Sequence, residues 1–126
     1  MQQINQGLRG RVDGCRLDLR EIDRLIAEKV MGWETQEFKN IGVVTAYTEY
    51  GEMLIPDDFS PSEDIQDAWV VVEKLRESKT FLLCDAMDKE DNLIYCASFQ
   101  YNDNYHSISH EACTNTAPMA ICLAAL

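Results

Sequence analysis

Hydrophobic positions recur along this chain with two different periods, and the alternation between them outlines its elements. Leu19, Ile22, Ile26, Val30 and Trp33 are spaced by three and four, the period of one buried helix face. Asp18 and Glu21 have capping-box spacing, with Asp18 as N-cap, and Gly32 predicts the C-cap because glycine takes the left-handed conformation at little cost. The period then shortens. Ile41 to Thr48 is rich in Val, Thr and Tyr, and Met53 to Ile55 is a second short apolar run. Glu49-Tyr50-Gly51-Glu52 between them predicts a hairpin turn, and Pro56-Asp57-Asp58 ends the strand.

A second helix is predicted from Ser60-Pro61-Ser62-Glu63, with Ser60 as N-cap, Pro61 at N1 and Glu63 at N3. Ile65, Ala68, Trp69, Val72 and Leu75 follow it at helical spacing, with acids early and bases late to suit the helix dipole. Thr80 to Met87, Leu93 to Tyr101 and Tyr105 to Cys113 predict three strands. They are separated by the polar turns Asp88–Asn92 and Asn102–Asn104, the layout of an antiparallel meander. From Ala117 the chain is apolar on every side to Leu126, which predicts a helix covered on most faces or meeting another subunit. Trp33 and Trp69, on the two helical stripes, are expected as core anchors.

Length and composition agree with one α+β domain. The 126 residues can bury about two-thirds of their unfolded surface. The 46% apolar and 26% charged fractions exclude a disordered chain, a collagen or a rod. The first 17 residues, with three glycines, three arginines and no apolar period, are expected to form a loose arm ahead of a domain spanning 18–126. A basic arm gripping an anionic partner is the other reading of that segment. Neither a signal peptide nor an apolar run long enough for a bilayer is visible.

Net charge is -11, and the acids are concentrated after residue 30. Direct nucleic-acid binding is disfavoured, since phosphate contact relies on Lys and Arg. The five cysteines are odd in number and lack CxxC spacing, so neither a disulfide framework nor a zinc ribbon is expected. Most of them read as small core residues in a reducing cytosol.

Three blocks carry a resemblance. They are Ala27-Glu28-Lys29-Val30-Met31-Gly32-Trp33; Phe59-Ser60-Pro61-Ser62 with Asp64-Ile65, Ala68-Trp69 and Val72-Glu73-Lys74-Leu75; and Thr116 to Leu126. In this order and near this spacing the chain resembles the phage ABA-sandwich domain family over residues 19–126. The resemblance implies an α-β-α sandwich, an antiparallel sheet of about four to five strands with helices on its faces. It implies a phage or prophage gene expressed in the bacterial cytoplasm, and it transfers no catalytic residue. The first 17 residues and the stretch 34–58 depart from the family pattern.

Candidate chemistry is sparse. His106 and His110 fall on a predicted strand, about 13 Å apart, too far for one metal. Cys96 or Cys113 with a histidine lacks any nucleophile motif, and no P-loop or GxGxxG sequence is present. No catalytic residue, metal or cofactor is therefore assigned, and a non-enzymatic binding role is expected. One version sequesters a signalling nucleotide of a bacterial defence system, with Tyr47, Tyr50, Tyr101 and Tyr105 for bases. Lys74, Arg76 and Lys79, with Lys39, would take its phosphates. A second version sets an acidic patch, Asp57, Asp58, Glu63, Asp64 and Asp67, into a basic groove of a host defence protein such as a nuclease. A third leaves the chain as a phage accessory domain. The apolar final helix adds the expectation of a homo-oligomer.

Overall fold

In the computed structural model, residues 19–126 are described. The expected arm over 1–17 and the expected cap at Asp18 lie outside them. Six strands form two three-stranded antiparallel sheets, with helices packed on them. The α+β class with antiparallel strands stands. The strand count is corrected from four or five in one sheet to six in two.

The first helix, α1 (Leu19–Leu25), runs without a break into a π-helical stretch, Ile26–Val30. Met31 N–H donates to Ile26 O at 3.0 Å, the five-residue step of a π turn. Ile22 and Asp23 of α1 and Ile26 and Ala27 at the start of the π stretch form one buried face. Gly32 follows at φ +75, and Trp33 lands edge-on against Phe59 with ring centroids 5.0 Å apart.

Strands β1 (Glu34–Phe38), β2 (Val43–Thr48) and β3 (Gly51–Ile55) make the first sheet in that order. β1 has no counterpart among the predicted elements: its sequence has one large apolar residue, because it is an edge strand that buries almost nothing. Ile41, expected to open β2, lies in the β1–β2 turn and is 71% exposed. The β2–β3 turn falls at Glu49-Tyr50, with Gly51 at φ +120.

The helix start predicted at Ser60 is also corrected. α2 spans Ile65–Leu75 and its N-cap is Asp64, whose carboxylate accepts from Gln66 N–H at 2.8 Å and Asp67 N–H at 3.3 Å. Ser60 to Glu63 instead form a separate turn, closed by Glu63 and Asp64 N–H groups donating to Ser60 O. That turn is drawn inward: Pro61 and Ser62 are buried, and Ser62 N–H donates to Asp23 Oδ1 at 2.8 Å. Ser60 N–H donates in turn to Asp67 Oδ2 at 2.9 Å.

Strands β4 (Thr80–Met87), β5 (Leu93–Asn102) and β6 (Ser107–Thr114) form the second sheet, and α3 spans Ala117–Ala125. β6 begins later than expected, so Tyr105 and His106 sit in the turn before it. There the Asp103 carboxylate accepts from both of their N–H groups. Two cores result. One joins Ile22, Ile26 and Ala27 to Val44, Ala46 and Ile55 of the first sheet, with Phe59, Val71 and Cys122. The other joins Ala68 and Val72 of α2 and Ala120, Ile121 and Ala124 of α3 to Ala97 and Phe99 of the second sheet. α2 and α3 thus present one side to each sheet, and α3 finds most of its apolar cover within the chain.

Two expectations about core residues change. Trp69 is 44% exposed rather than an interior anchor. The cysteines are not mostly buried: Cys84 and Cys113 are exposed, and only Cys122 among the described ones is buried. Cys96 and Cys113 face each other in register on β5 and β6, with Cα atoms 4.0 Å apart, and are joined as a disulfide. The absence of CxxC spacing concealed this pair because cross-strand register, not sequence proximity, brings it together.

Candidate functional site

The second sheet's register assembles its most chemically distinctive corner. Phe81 pairs with Phe99 and Phe99 with His110, placing all three rings in one row on the helix-facing side. Phe81 and Phe99 lie 5.1 Å apart, and half-exposed Trp69 of α2 meets Phe81 edge-on at 6.0 Å. Two residues further along β5, Tyr101 stacks with His110, with centroids 6.1 Å apart and planes 18° from parallel. The turn that closes α2 then delivers a cation. Lys79 N–H donates to Leu75 O at 2.9 Å, and its Nζ lies 5.3 Å from the Tyr101 ring centroid. Such a contact contributes about 0.5–1 kcal/mol at an exposed site. Lys79 forms no ion pair among the described residues.

A cation beside stacked flat rings can do two things at once. It offers a stacking face to a heteroaromatic ring and a positive charge to an anionic group attached to that ring.

Of the residues proposed for a nucleotide, the structure brings together Tyr101 and Lys79. Tyr105 is 89% exposed in the β5–β6 turn. Lys74 and Arg76 end α2 and are spent on nearby acids, Glu77 at 4.0 Å and Glu73 at 3.7 Å. Tyr47 and Tyr50 belong to the other sheet. Tyr47 Oη donates to Gln36 Oε1 at 3.0 Å, and Tyr50 stands 91% exposed in the β2–β3 turn. Lys39 lies after β1, beside a shallow hollow of about 500 Å³. The sequence suggests His110 only as a metal ligand or catalytic partner. Its place against Tyr101 depends on strand register, which no local pattern carries.

The acidic patch divides as well. Asp58 Oδ2 accepts from Leu54 N–H at 2.9 Å, Asp64 caps α2 and Asp67 accepts from Ser60 N–H. These three carboxylates hold backbone, and of the five only Asp67 is not exposed. His106 is off the strand, with Nδ1 3.5 Å from Asp103. Cys96 and Cys113, the candidate nucleophiles, are tied to each other.

Inside the fold, Asp23 is fully buried. Burial pushes its carboxyl above the usual carboxylate range, and the Ser62 N–H bond offsets only part of that. Asp23 Oδ2 and Ser62 Oγ have no hydrogen-bond partner among the described residues. Cys122 is held far above the ordinary thiol range, first by burial and then by the negative Asp23. A cleft of about 530 Å³ opens beside Ser62, between Leu19, Glu63 and the start of α3.

These features define a small α+β sandwich with an aromatic and cationic corner on its second sheet. The chain belongs to the phage ABA sandwich domain family, whose sequence model matches residues 24–126. Among curated proteins and among solved structures, none matches it. No helix among the described residues is long and apolar enough to cross a membrane.

Proposed function

We propose that this phage-family domain acts by capture without turnover, in the cytoplasm of the infected bacterium. Its ligand is a nucleotide signal used in anti-phage defence, held at the Lys79–Tyr101–His110 corner. The observation that supports this most is the Lys79 ammonium 5.3 Å from a ring that is itself stacked on a second one. The net charge of -11 argues for a compact ligand with few charges rather than a nucleic-acid strand. A thermal-shift screen against cyclic and ADP-ribose-type nucleotides tests it. At a hundredfold excess over Kd a ligand adds about 2.7 kcal/mol, roughly 10 °C in a domain of this size. Tyr101→Ala and Lys79→Ala should abolish the shift, and the nucleotide should be recovered intact after heating. A panel without a shift refutes this and favours the acidic surface. Capture of a basic host protein would then weaken steeply with salt.

Self-association forms part of the same proposal, but at a different place from the apolar α3. β4 is an open edge with exposed Leu82 (55%), Leu83 (36%) and Met87 (59%) and a single charge, Asp85. The outer edges of β1 and β6 are polar by comparison, with Glu34, Gln36 and Glu37 on one and Ser107, Ser109 and Glu111 on the other. Blunting of that kind is absent from β4, so the occupant we assign is β4 of a second copy, antiparallel about a two-fold axis. Leu82→Lys should convert a sedimenting dimer to monomer. A wild-type chain that sediments as a 14.4 kDa monomer at high concentration refutes it.

A further inference from the structure

The face of the second sheet turned away from the helices carries a row of three cysteines, one on each strand. Cys84 of β4 is directly opposite Cys96 of β5, and Cys96 is directly opposite Cys113 of β6. Directly paired residues share one face of a sheet, so all three sulfurs project to the same side. Cys96 and Cys113 are bonded, while Cys84 is a free, exposed thiol.

Strand spacing decides what this row can do. Neighbouring strands lie about 4.8 Å apart, which puts the outer two cysteines about 10 Å apart. That exceeds the roughly 7 Å limit on Cα separation for a disulfide, so Cys84 and Cys113 cannot bond to each other. The same span is too wide for three thiolates around one metal at about 2.3 Å each. Cys96 alone is within bonding reach of both neighbours. Cys84 also approaches Cys96 from the side opposite Cys113, the direction from which a thiolate displaces another along the S–S axis.

We propose that the row is a thiol–disulfide exchange centre, in which Cys84 and Cys113 compete for Cys96. The Cys84 thiolate attacks Cys96 Sγ. The Cys84–Cys96 bond forms as the Cys96–Cys113 bond breaks, and Cys113 departs as the thiolate. The proton lost to water by Cys84 is regained from water by Cys113. One thiol and one disulfide stand on each side, so no external oxidant or reductant is needed. The disulfide moves from the β5–β6 pair to the β4–β5 pair. Cys113, three residues before the α3 N-cap Thr116, is freed, and the open edge strand β4 is tied down.

The sequence supplies a clean readout. No Lys or Arg follows Lys89, so trypsin leaves Cys84 on the peptide Thr80–Lys89 and Cys96, Cys113 and Cys122 together on residues 90–126. The native pairing is internal to the second peptide, while the exchanged pairing links the two. The oxidised full chain, carrying Cys15→Ser to remove a competing thiol, is held at pH 8.5, quenched in acid, digested and mapped by mass spectrometry. A second cut at Tyr101 separates Cys96 from Cys122. We expect both pairings, reaching a constant ratio, with exchange at least tenfold slower at pH 6.5. Cys113→Ser, treated with oxidised glutathione, should form the Cys84–Cys96 bond and lose 2 Da, with circular dichroism confirming the fold. Wild-type chain that keeps only the internal pairing overturns the proposal, whether or not the variant folds. Folded Cys113→Ser that yields glutathione adducts without a linked peptide overturns it independently, because Cys84 then cannot reach Cys96.

Discussion

Replacing Asp23 by Asn should stabilise the protein at neutral and alkaline pH and leave it nearly unchanged in acid. Asp23 is 0% exposed, with Oδ1 accepting from Ser62 N–H at 2.8 Å and Oδ2 without a partner beside the equally unpartnered Ser62 Oγ. Its carboxyl is pushed up in the fold, chiefly by burial, against about 3.9 in the unfolded chain. Over the window between the two values the folded protein binds more protons than the unfolded one, so stability falls as pH rises. The contribution is fully present below about pH 4 and is lost as pH climbs through the folded value. The amide of Asp23→Asn keeps the acceptor for Ser62 N–H, removes the charge and offers an N–H to Ser62 Oγ. Relieving one unsatisfied buried polar group contributes about 1–3 kcal/mol. In a domain of this size that is roughly 4–12 °C in Tm. Urea unfolding of both chains from pH 4 to pH 8 measures it. The difference between them isolates Asp23, because Glu28, Asp88 and Asp103, whose lowered pKa values act in the opposite sense, are common to both. An Asp23→Asn variant less stable than wild type at pH 8, or a difference that does not change with pH, would refute the reasoning.

Three further outcomes follow from the geometry. Asp64→Ala should cost about 1 kcal/mol in urea unfolding, because Asp64 caps α2, while Ser60→Ala should cost a few tenths at most. Equal losses would restore the helix start to Ser60. Native labelling with iodoacetamide should modify Cys84 and leave Cys122 untouched over hours, since Cys122 is buried and its thiol is held far above the ordinary range. Phe99→Ala, removing a ring 1% exposed at the centre of the second core, should cost about 3–5 kcal/mol.

What the sequence made legible was the set of elements whose evidence is local. The β2–β3 hairpin, α2, the β4–β5–β6 meander and α3 each announce themselves by periodicity and turn residues within a dozen positions. The misses have a common physical origin in tertiary contacts. β1 carries a polar edge-strand sequence, so period gives no signal. The π turn at Ile26–Val30 breaks the 3.6 period that the stripe from Leu19 to Trp33 assumes, and Asp23, a charged residue next to the stripe, is buried against the Ser62 turn. Ser60-Pro61-Ser62-Glu63 has the residues of a helix start, yet buried Asp23 recruits its backbone into a separate turn. Asp64, four residues on, takes over the cap.

The sites were harder to see, and register is the reason. Lys79, Tyr101 and His110 are separated by 22 and 9 positions, and Cys84, Cys96 and Cys113 by 12 and 17. Neither spacing carries a motif. The same two ladders run beneath both trios, Phe81 opposite Phe99 opposite His110 on one face and Cys84 opposite Cys96 opposite Cys113 on the other, with Lys79 set just ahead of β4. A slip of one residue in β4 against β5 would move the aromatic ring of Phe81 to the solvent face and Cys84 to the helix face, dismantling both at once. What fixes the register is Phe99, buried against α2 and α3 with Ala97 beside it. One core residue thus bears on both surfaces, from within the ring row of one and from behind the cysteine row of the other. A substitution at Phe99 that leaves the chain folded should therefore weaken ligand capture and cysteine exchange together. A loss of one alone would show that the two faces are set independently.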